Sequence, residues 1–426
     1  MKPRVAVLQF PGINSEYETL RALWDAEITA EFFRWNEDPT RLATFDGYVI
    51  PGGFSFEDRG RSGLIASMEP VMNEIRRQAD TGKPVLGICN GAQIVVETGL
   101  VPGGKNHELL MSLARNKRVQ NGKVVGVGFY NTNVFVKSVA PQGRTAFTLD
   151  TTPEELSFVP IAHGEGRFTT SIPGLLEKFR ENQQIVFKYC DSKGQLGDEF
   201  PLNPNGAMDS AAAICNPQGN VMAIMPHPER APSAPMPKIF TSMCKYMQAR
   251  AEGKNPLVGT TPALEFTDNK PALETHTHNP NSIEFFIELI ITDNEAETIQ
   301  NALRQRGFDV NLRKWNTYEI ATQAGEDQNG LGTQLVNFGE FCNLNKERVT
   351  TVTDQNAFPK KAGAFYYLVW DKEDSAGLSL GAKLGRPTRR AWFWEVTPRP
   401  GYTLDEGALL ATNIFANHHA QELRKF

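Results

Sequence analysis

The stretch KPVLGICNGAQ, from Lys83 to Gln93, decides the fold predicted for the first half of the chain. After a Lys-Pro pair, the apolar run 85–88 is typical of a strand buried in a parallel sheet. The strand pattern stops at Cys89. A helical pattern then opens at Asn90, continues to residue 98 and ends before a glycine. The stretch therefore predicts a strand, a sharp turn and a helix, with a cysteine at the turn.

Two glycines flank this cysteine at two residues on either side. Gly87 and Gly91 leave room for a sharp strand-to-helix turn, in which a Cβ would be crowded. This is the G-x-nucleophile-x-G layout of a nucleophile elbow, with a thiol in the reactive position. The free N–H groups at the start of the helix favour a thiolate. A lone cysteine is more often a buried structural residue, but this context favours a nucleophile at Cys89.

A nucleophile of this kind needs a base, and the base needs a group that orients it. The stretch MPHPER, residues 225–230, follows an apolar strand pattern and offers both. Pro228 favours an extended conformation at His227, so His227 and Glu229 project to the same side. We predict that Glu229 holds one imidazole nitrogen while the other faces Cys89. A surface histidine in a proline-rich turn is the alternative when this stretch is considered alone.

Several stretches together resemble one family. GICNGAQ followed by MPHPER resembles the class I, triad-type glutamine amidotransferases, and more narrowly the glutaminase subunits of phosphoribosylformylglycinamidine synthase. Other stretches agree with that subfamily and follow its order over roughly the first 230 residues, so the resemblance does not rest on one motif. These stretches are VLQFPGIN (7–14), PGGFSFED (51–58), HGEGRF (163–168) and NPNG (203–206).

The resemblance and the chain pattern agree on the fold of this part. Strand and helix patterns alternate, which predicts an α/β fold with a doubly wound, mostly parallel sheet and a site at the carboxyl ends of its strands. The resemblance implies the flavodoxin-like version found in class I amidotransferases.

The resemblance also implies the residues of the site. It places an oxyanion hole at the backbone N–H groups of Gly53 and Asn90, and a glycine at the end of a strand can offer such an N–H. The loop Ser55 to Gly63 departs from the sequence SYGDY that many members have at this position. Two alternatives therefore stay open: a loop that contacts the substrate, and a solvated surface loop. The implied substrate-binding residues are Gly52, Phe54, Gln93, His163, Glu165 and Gly166.

Composition limits the classes of protein to consider. The chain has 426 residues, of which 40% are hydrophobic and 22% charged, enough for two or three domains. It has no apolar run long enough for a membrane span and no signal-peptide pattern at its N-terminus. Five cysteines without paired spacing indicate a cytoplasmic location. A net charge of −5 without a basic block argues against nucleic acid as a partner.

We predict three parts along the chain: an amidotransferase domain at 1–252, a linker at 253–282 rich in Pro, Thr and Asn, and an α+β domain at 283–426. His276 and His278 lie in the linker without a third ligand, so no metal site is predicted. In the last part, the order β-α-β-β-β-α predicts a sheet with helices on one face. Residues 396–414, VTPRPGYTLDEGALLATNI, resemble the small accessory subunit of the same synthase and the matching domain of its synthetase chain.

Four local predictions concern single elements. We expect Ser15 to cap the first helix, one amphipathic helix from Leu64 to Ala79, and a hairpin from Lys123 to Lys137 with an Asn-rich turn. We expect a closing helix of the first domain at 235–252 and a last helix from Asp405 to Arg424.

The implied reaction is the hydrolysis of glutamine. The thiolate of Cys89 attacks the side-chain amide, and His227 donates a proton to the leaving ammonia and then activates water. The ammonia would pass to a synthetase chain that uses ATP and Mg²⁺ to convert formylglycinamide ribonucleotide to the amidine in purine (IMP) biosynthesis. This sequence has no G-x-x-x-x-G-K-[ST] loop, which agrees with ATP binding elsewhere, and no cofactor is expected in this chain.

Two other functions stay open at the level of sequence. A protease- or deglycase-like cysteine hydrolase could use a similar sheet, but such enzymes usually carry His directly after the nucleophile, where this chain has Asn90. The other function is that of a non-catalytic assembly subunit, whose main part would be the C-terminal domain. The presence of the Cys, His and Glu set argues against it.

Overall fold

The computed structural model describes residues 2–231, 238–266, 272–354 and 358–426. The chain divides into two compact units, Met1–Asp268 and Asn269–Phe426. Within the described ranges, no helix is long and apolar enough to cross a membrane.

A nine-stranded sheet forms the centre of the first unit. The strands of this unit are β1 (Arg4–Gln9), β2 (Thr29–Arg34), β3 (Gly47–Ile50), β4 (Val85–Ile88), β5 (Ser112–Ala114), β6 (Lys117–Gln120), β7 (Lys123–Val127), β8 (Tyr130–Ser138), β9 (Leu156–His163), β10 (Arg167–Thr169), β11 (Ile185–Cys190), β12 (Ala211–Cys215) and β13 (Val221–Ile224). The helices are α1 (Glu16–Asp25), α2 (Leu64–Ser67), α3 (Pro70–Asp80), α4 (Asn90–Glu97), α5 (Leu175–Glu181) and α6 (Lys238–Ala251).

The order of strands in this sheet is β2-β1-β3-β4-β13-β12-β11-β8-β9. The first five strands run parallel, and the remaining pairs are antiparallel. The central strand β4 is buried along its whole length, as its apolar run predicted. The segments that follow β3, β4 and β13 therefore meet at one edge of the sheet. The predicted α/β fold is confirmed, with a mixed sheet.

Two predictions near this edge were wrong in detail. The helix expected over 64–79 is divided into α2 and α3, because Glu69 precedes Pro70 and adopts an extended conformation with ψ 145°. Ser15 does not cap α1 with its side chain. Its hydroxyl instead accepts a hydrogen bond from the N–H of Gly52 at 2.8 Å.

The hairpin expected over Lys123–Lys137 is also wrong. Strand β7 pairs with β6, which precedes it, and the turn between them is Asn121-Gly122 with both φ angles positive. Asn-Gly favours this type of tight hairpin turn. Strand β8 belongs to the main sheet instead, between β11 and β9. The closing helix was correct where it is described, as α6, while its predicted start at 235 lies outside the described residues.

The predicted linker needs correction at both ends. Residues 253–266 pack on the first unit, where Leu264 is 3% exposed and its backbone exchanges hydrogen bonds with Gly103 and Lys105. At the other end, His276 is buried in the second unit, with its Nε2 2.6 Å from Glu284 Oε1. Pro, Thr and Asn mark an extended segment here, and the boundary between the units falls at 268/269.

The second unit is a seven-stranded sheet with the order β14-β20-β18-β19-β16-β15-β17. Its strands are β14 (Glu274–Thr275), β15 (Ser282–Leu289), β16 (Val310–Ala321), β17 (Glu347–Val352), β18 (Phe365–Asp371), β19 (Thr388–Pro398) and β20 (Gln421–Lys425). Its helices are α7 (Asn294–Gln305), α8 (Gln328–Phe338), α9 (Ser375–Leu384) and α10 (Glu406–Ala411). The helix predicted over Asp405–Arg424 was wrong, because α10 ends at Ala411 and β20 pairs with β18.

The two faces of this sheet differ. Ile283 and Phe285 of β15 pack with Leu335 of α8 in one apolar cluster, to which Leu384 of α9 adds. Since neighbouring residues of a strand point to opposite faces, Phe286 lies on the other side. It belongs to an aromatic cluster there with members from several strands. The packing of α8 and α9 agrees with the prediction that helices cover one face. The predicted order β-α-β-β-β-α was wrong, because it lacks α8, α9 and β17.

The second unit contains one arrangement twice. The segment β15-α7-β16-α8-β17 has the strand order β17-β15-β16, and β18-α9-β19-α10-β20 has the matching order β20-β18-β19. The two segments meet where β16 pairs antiparallel with β19, with Trp315 opposite Phe393. The two halves are therefore related by an approximate two-fold axis through this strand pair. An aspartate caps each of the four helices by accepting backbone N–H bonds: Asp293, Asp327, Asp374 and Asp405.

We predict that Leu264→Ala destabilises the first unit by about 2–5 kcal/mol, since it removes a buried side chain that holds the segment 253–266 in place. The matched control is Val258→Ala in the same segment, where the side chain is 49% exposed and its loss should cost no more than about 0.5 kcal/mol. Denaturant unfolding and hydrogen exchange in β1 to β4 measure the loss of stability in the two variants. Equal effects of the two variants would support the linker that composition predicts.

Candidate active site

The turn between β4 and α4 has the geometry of a nucleophile elbow. Cys89 has φ 51° and ψ −105°, a conformation that a non-glycine residue adopts only under constraint from its surroundings. A Cβ on Gly91 would lie 1.9 Å from the carbonyl oxygen of Ile50, and a Cβ on Gly87 would lie 2.4 Å from that of Gly91. Both glycines are thus needed because β3, β4 and α4 approach so closely. The strand-turn-helix geometry predicted from sequence is present.

The structure brings Cys89, His227 and Glu229 together. Nδ1 of His227 lies 2.6 Å from Oε1 of Glu229, and both side chains are almost fully buried. The thiol of Cys89 lies close enough to His227 to contribute to raising the pKa of its imidazole. A Cβ on Gly52 would lie 2.7 Å from Cε1 of His227 and 3.3 Å from Cβ of Cys89, so this glycine leaves the space beside both side chains open. The three residues form the series of thiol, imidazole and carboxylate that a cysteine nucleophile requires.

The charges in this series set the protonation of the imidazole. Burial lowers the pKa of His227, but the negative charges of Glu229 and Cys89 outweigh burial and raise it to about 10. The imidazolium form therefore prevails at neutral pH and holds a proton for a leaving amine. Because the pKa in the folded protein is above that of a free histidine, this pairing stabilises the fold below pH 6.5. That stabilisation is lost as the pH rises through about 10.

The predicted oxyanion hole has two N–H groups available. On either side of Gly53, the N–H of Gly52 donates to Ser15 Oγ at 2.8 Å and the N–H of Phe54 donates to Gly12 O at 2.9 Å. The N–H of Gly53 has no such partner among the described residues. The N–H of Asn90 opens α4, where the first N–H groups of a helix have no partner within it. That these two groups hold a developing oxyanion beside Cys89 stays a prediction.

The predicted substrate-binding residues lie on two segments that contact each other. Gln93 of α4 donates from Nε2 to the carbonyl oxygen of Glu165 at 2.5 Å. Asn116 holds the segment 163–166, since its Nδ2 donates to His163 O at 2.7 Å and its Oδ1 accepts from the N–H of Gly166 at 2.8 Å. Phe54 stands apart from them, 43% exposed, with its ring 6.5 Å from that of Phe129.

The loop 55–63 is not the solvated loop that stayed open as an alternative. Ser55 and Ser62 are buried, while three successive residues, Phe56 to Asp58, have positive φ angles of 50° to 59°. The N–H of Ser55 donates to Oδ1 of Asn90 at 3.0 Å, so the side chain that follows the nucleophile holds this loop. Glu57, with a side chain 76% exposed, is the part of the loop that faces water.

Sequence reasoning missed three residues of the site. Ser15 and Asn116 hold segments that carry predicted residues, and Asp58 accepts a hydrogen bond from Asn90 Nδ2 at 3.3 Å. Ser15 and Asp58 lie in or directly after stretches that resemble the family, so their positions gave a weak signal. Asn116 lies in none of these stretches, and its contacts join residues about 50 positions apart.

Comparisons with known proteins agree with this geometry. Residues 2–243 match the family described as the CobB/CobQ-like glutamine amidotransferase domain. The chain is 44% identical over 261 residues to the phosphoribosylformylglycinamidine synthase subunit PurQ of Methanothrix thermoacetophila, which covers 58% of this chain and 99% of that protein. It is 40% identical over 228 residues to the protein of the same name from Thermomicrobium roseum, covering 54% of this chain and 87% of the relative.

One solved structure is similar over the same share of the chain. A chain in the structure of PurLQS from Thermotoga maritima is 29% identical, with a TM-score of 0.45, and the similarity covers 58% of this chain and 100% of that one.

We predict that iodoacetamide alkylates Cys89 before any other cysteine. Burial raises the pKa of Cys190 and Cys215 to about 11, and burial also raises the pKa of Cys244 and Cys342. These four thiols are therefore neutral at pH 7.5 and should react more than about tenfold more slowly. Peptide mapping after brief labelling measures the rates, with Cys89→Ser as the control. Labelling of Cys342 at the rate of Cys89 would contradict the prediction.

We predict that Glu229→Gln lowers the pKa of His227, because it removes the charge that contributes most to raising it. Histidine NMR signals followed from pH 6 to 11 measure the change. The matched control is Glu18→Gln, which removes the ion-pair partner of nearby Arg230 and leaves the buried pair intact. An unchanged His227 titration in Glu229→Gln would show that Glu229 does not set its protonation.

Proposed function

The chain belongs to the family of CobB/CobQ-like glutamine amidotransferase domains, and on that premise we propose that it hydrolyses glutamine as the glutaminase subunit of phosphoribosylformylglycinamidine synthase. The observation that carries the proposal is the position of Cys89, at a nucleophile elbow and beside the same glycine as the buried His227–Glu229 pair. Relatives at 38–44% identity, matched over most of their length, carry the name of that subunit.

The reaction runs in two halves. The sulfur of Cys89 forms a bond to the amide carbon of the glutamine side chain, and the N–H groups of Gly53 and Asn90 hold the oxyanion. The carbon–nitrogen bond breaks as His227 gives its proton to the nitrogen, which leaves as ammonia. His227 then takes a proton from water, whose oxygen attacks the thioester. The carbon–sulfur bond breaks, which releases glutamate and restores the thiol group.

The ammonia serves a second reaction on another chain. The relatives are named as subunits, which supports a synthetase partner for this chain. In our proposal that partner binds ATP and Mg²⁺ and converts formylglycinamide ribonucleotide to formylglycinamidine ribonucleotide in purine biosynthesis. The five free cysteines of the chain fit a cytoplasmic location.

The second unit takes the part of an accessory or partner-docking domain in this proposal. The stretch 396–414, which resembles the small accessory subunit, covers the end of β19 and the helix α10. The family match covers residues 2–243 and does not include this unit, and the resemblance of 396–414 supports its role.

We expect Cys89→Ala to abolish glutamine-dependent amidine formation by the complex of this chain with its synthetase. It should leave synthesis from added ammonium salt intact, because the synthetase reaction consumes ammonia and does not involve the thiol. The test measures the rate of amidine formation by the reconstituted complex, once with glutamine and once with ammonium salt. Cys342→Ala is the control variant. Loss of both rates in a complex that still assembles would contradict a two-site reaction, and loss of neither would exclude Cys89 as nucleophile.

A further inference from the structure

We propose that the second unit binds a single ammonium ion in a small cavity between Glu284, Thr317 and Trp370. The cavity lies on the face of the seven-stranded sheet that carries the aromatic cluster around Phe286. The inference concerns the second unit alone and goes beyond the proposed function, since glutamine hydrolysis in the first unit does not require this site.

The pairing of four strands explains why this cavity exists. Phe286 of β15 lies opposite Thr317 of β16. Thr317 in turn lies opposite Ala391 of β19, and Ala391 lies opposite Trp370 of β18. Since residues opposite each other point to the same face of a sheet, these four form one row across it. The methyl group of Ala391 is too short to fill the row, and a cavity of about 10 Å³ remains, with room for one water-sized particle.

Two buried oxygen atoms at this cavity have no hydrogen-bond partner among the described residues. They are Oε2 of Glu284 and Oγ1 of Thr317. Both residues line the cavity, and each is at most 5% exposed. Polar groups buried in this way normally have a partner. Because the cavity has room for one particle, the two oxygens indicate a single ligand that hydrogen-bonds to both.

The charge of the cavity wall favours a cation over a neutral water molecule. The two charged residues that line the cavity, Glu284 and Glu319, are both acidic and lie directly opposite each other on β15 and β16, where like charges repel. The other oxygen of Glu284 is 2.6 Å from Nε2 of His276 and 3.5 Å from Nδ1 of His278, and an imidazole carries charge only when protonated. Arg389 approaches Glu319 only to 4.0 Å. A cation between the carboxylates would relieve their repulsion.

The composition of the wall favours ammonium over a metal ion. Hard metal cations take about six or more oxygen ligands, whereas much of this wall is carbon from Phe286, Leu368, Ala391 and Trp370. In the part of the chain that the structure describes, no group of three or more His, Cys, Asp or Glu residues could hold a metal ion. Ammonium needs fewer oxygens, because it binds through directed N–H donors, and aromatic neighbours stabilise it. It is also close to water in size.

The test titrates the full chain with ¹⁵N-labelled ammonium chloride and follows the N–H signal of the bound ion by NMR at slightly acidic pH. Tetramethylammonium chloride keeps the ionic strength constant, since its ion is too large for the cavity. We expect a saturable signal of bound ammonium in the wild type. In Thr317→Val the half-saturating concentration should rise about 10- to 100-fold, as for the loss of one hydrogen bond to a charged group. Glu284→Gln should raise it at least as much, because it removes the charge of the carboxylate.

The matched control is Glu288→Gln, which changes a carboxylate of the same strand that does not line the cavity and pairs with Arg313. It should keep the half-saturating concentration of the wild type. Thr317→Val and Glu284→Gln both nearly preserve the size of the side chain, so the result does not depend on one variant that fails to fold. Thermal unfolding of each variant confirms that it is folded.

Three results would overturn the inference. Absence of a bound signal in the wild type would mean that the cavity holds water only. An unchanged half-saturating concentration in both cavity variants would place the bound ion elsewhere in the chain. Displacement of bound ammonium by an equal concentration of potassium chloride would mean that charge alone selects the ion. None of these measurements involves glutamine, so the inference and the proposed function can fail separately.

Discussion

The close approach of α4 to the end of β3 is the constraint on which the site depends. No side chain fits at Gly91, because its Cβ would lie 1.9 Å from the carbonyl oxygen of Ile50. This contact fixes the angle at which the helix leaves the sheet, and with it the positive φ of Cys89. It also places the N–H of Asn90 near the glycines that follow β3. A single backbone contact thus sets the positions of Cys89 and of the Asn90 N–H, and the point from which the loop 55–63 starts.

The remaining groups reach this elbow from distant parts of the chain. β13 lies beside β4 in the sheet, so the residues after it, His227 and Glu229, arrive at the same edge as Cys89. The end of β9 brings the carbonyl oxygen of Ala162 to 3.7 Å from the thiol of Cys89. Hydrogen bonds from polar side chains then hold these segments in place, and those of Ser15 and Asn116 are the clearest examples. The parallel sheet sets the edge, and these hydrogen bonds position the side chains along it.

Local patterns explain which parts of this arrangement could be predicted. The elbow and MPHPER were found because steric need and residue type coincide within a few positions. Asn116 could not be found, since its partner Gly166 is 50 residues away and no motif marks the pairing. Ser15 directly follows a motif, but its partner Gly52 is 37 residues away, so the signal in the sequence was weak. Composition misled at 253–266, where Pro and Thr mark an extended segment that packs at Leu264. Helical spacing misled at 421–425, because pairing with β18 overrides local preference in β20.

The approximate two-fold arrangement of the second unit has a thermodynamic consequence. Two separate copies of such a half would have to associate to form the β16–β19 pair, and they would come apart on dilution. Here both halves belong to one chain, so their local concentration is set by the connecting segment between β17 and β18 and not by the amount of protein. The sheet is therefore complete at any concentration. The two halves also need not be identical, so each edge can differ in sequence without loss of the central pair.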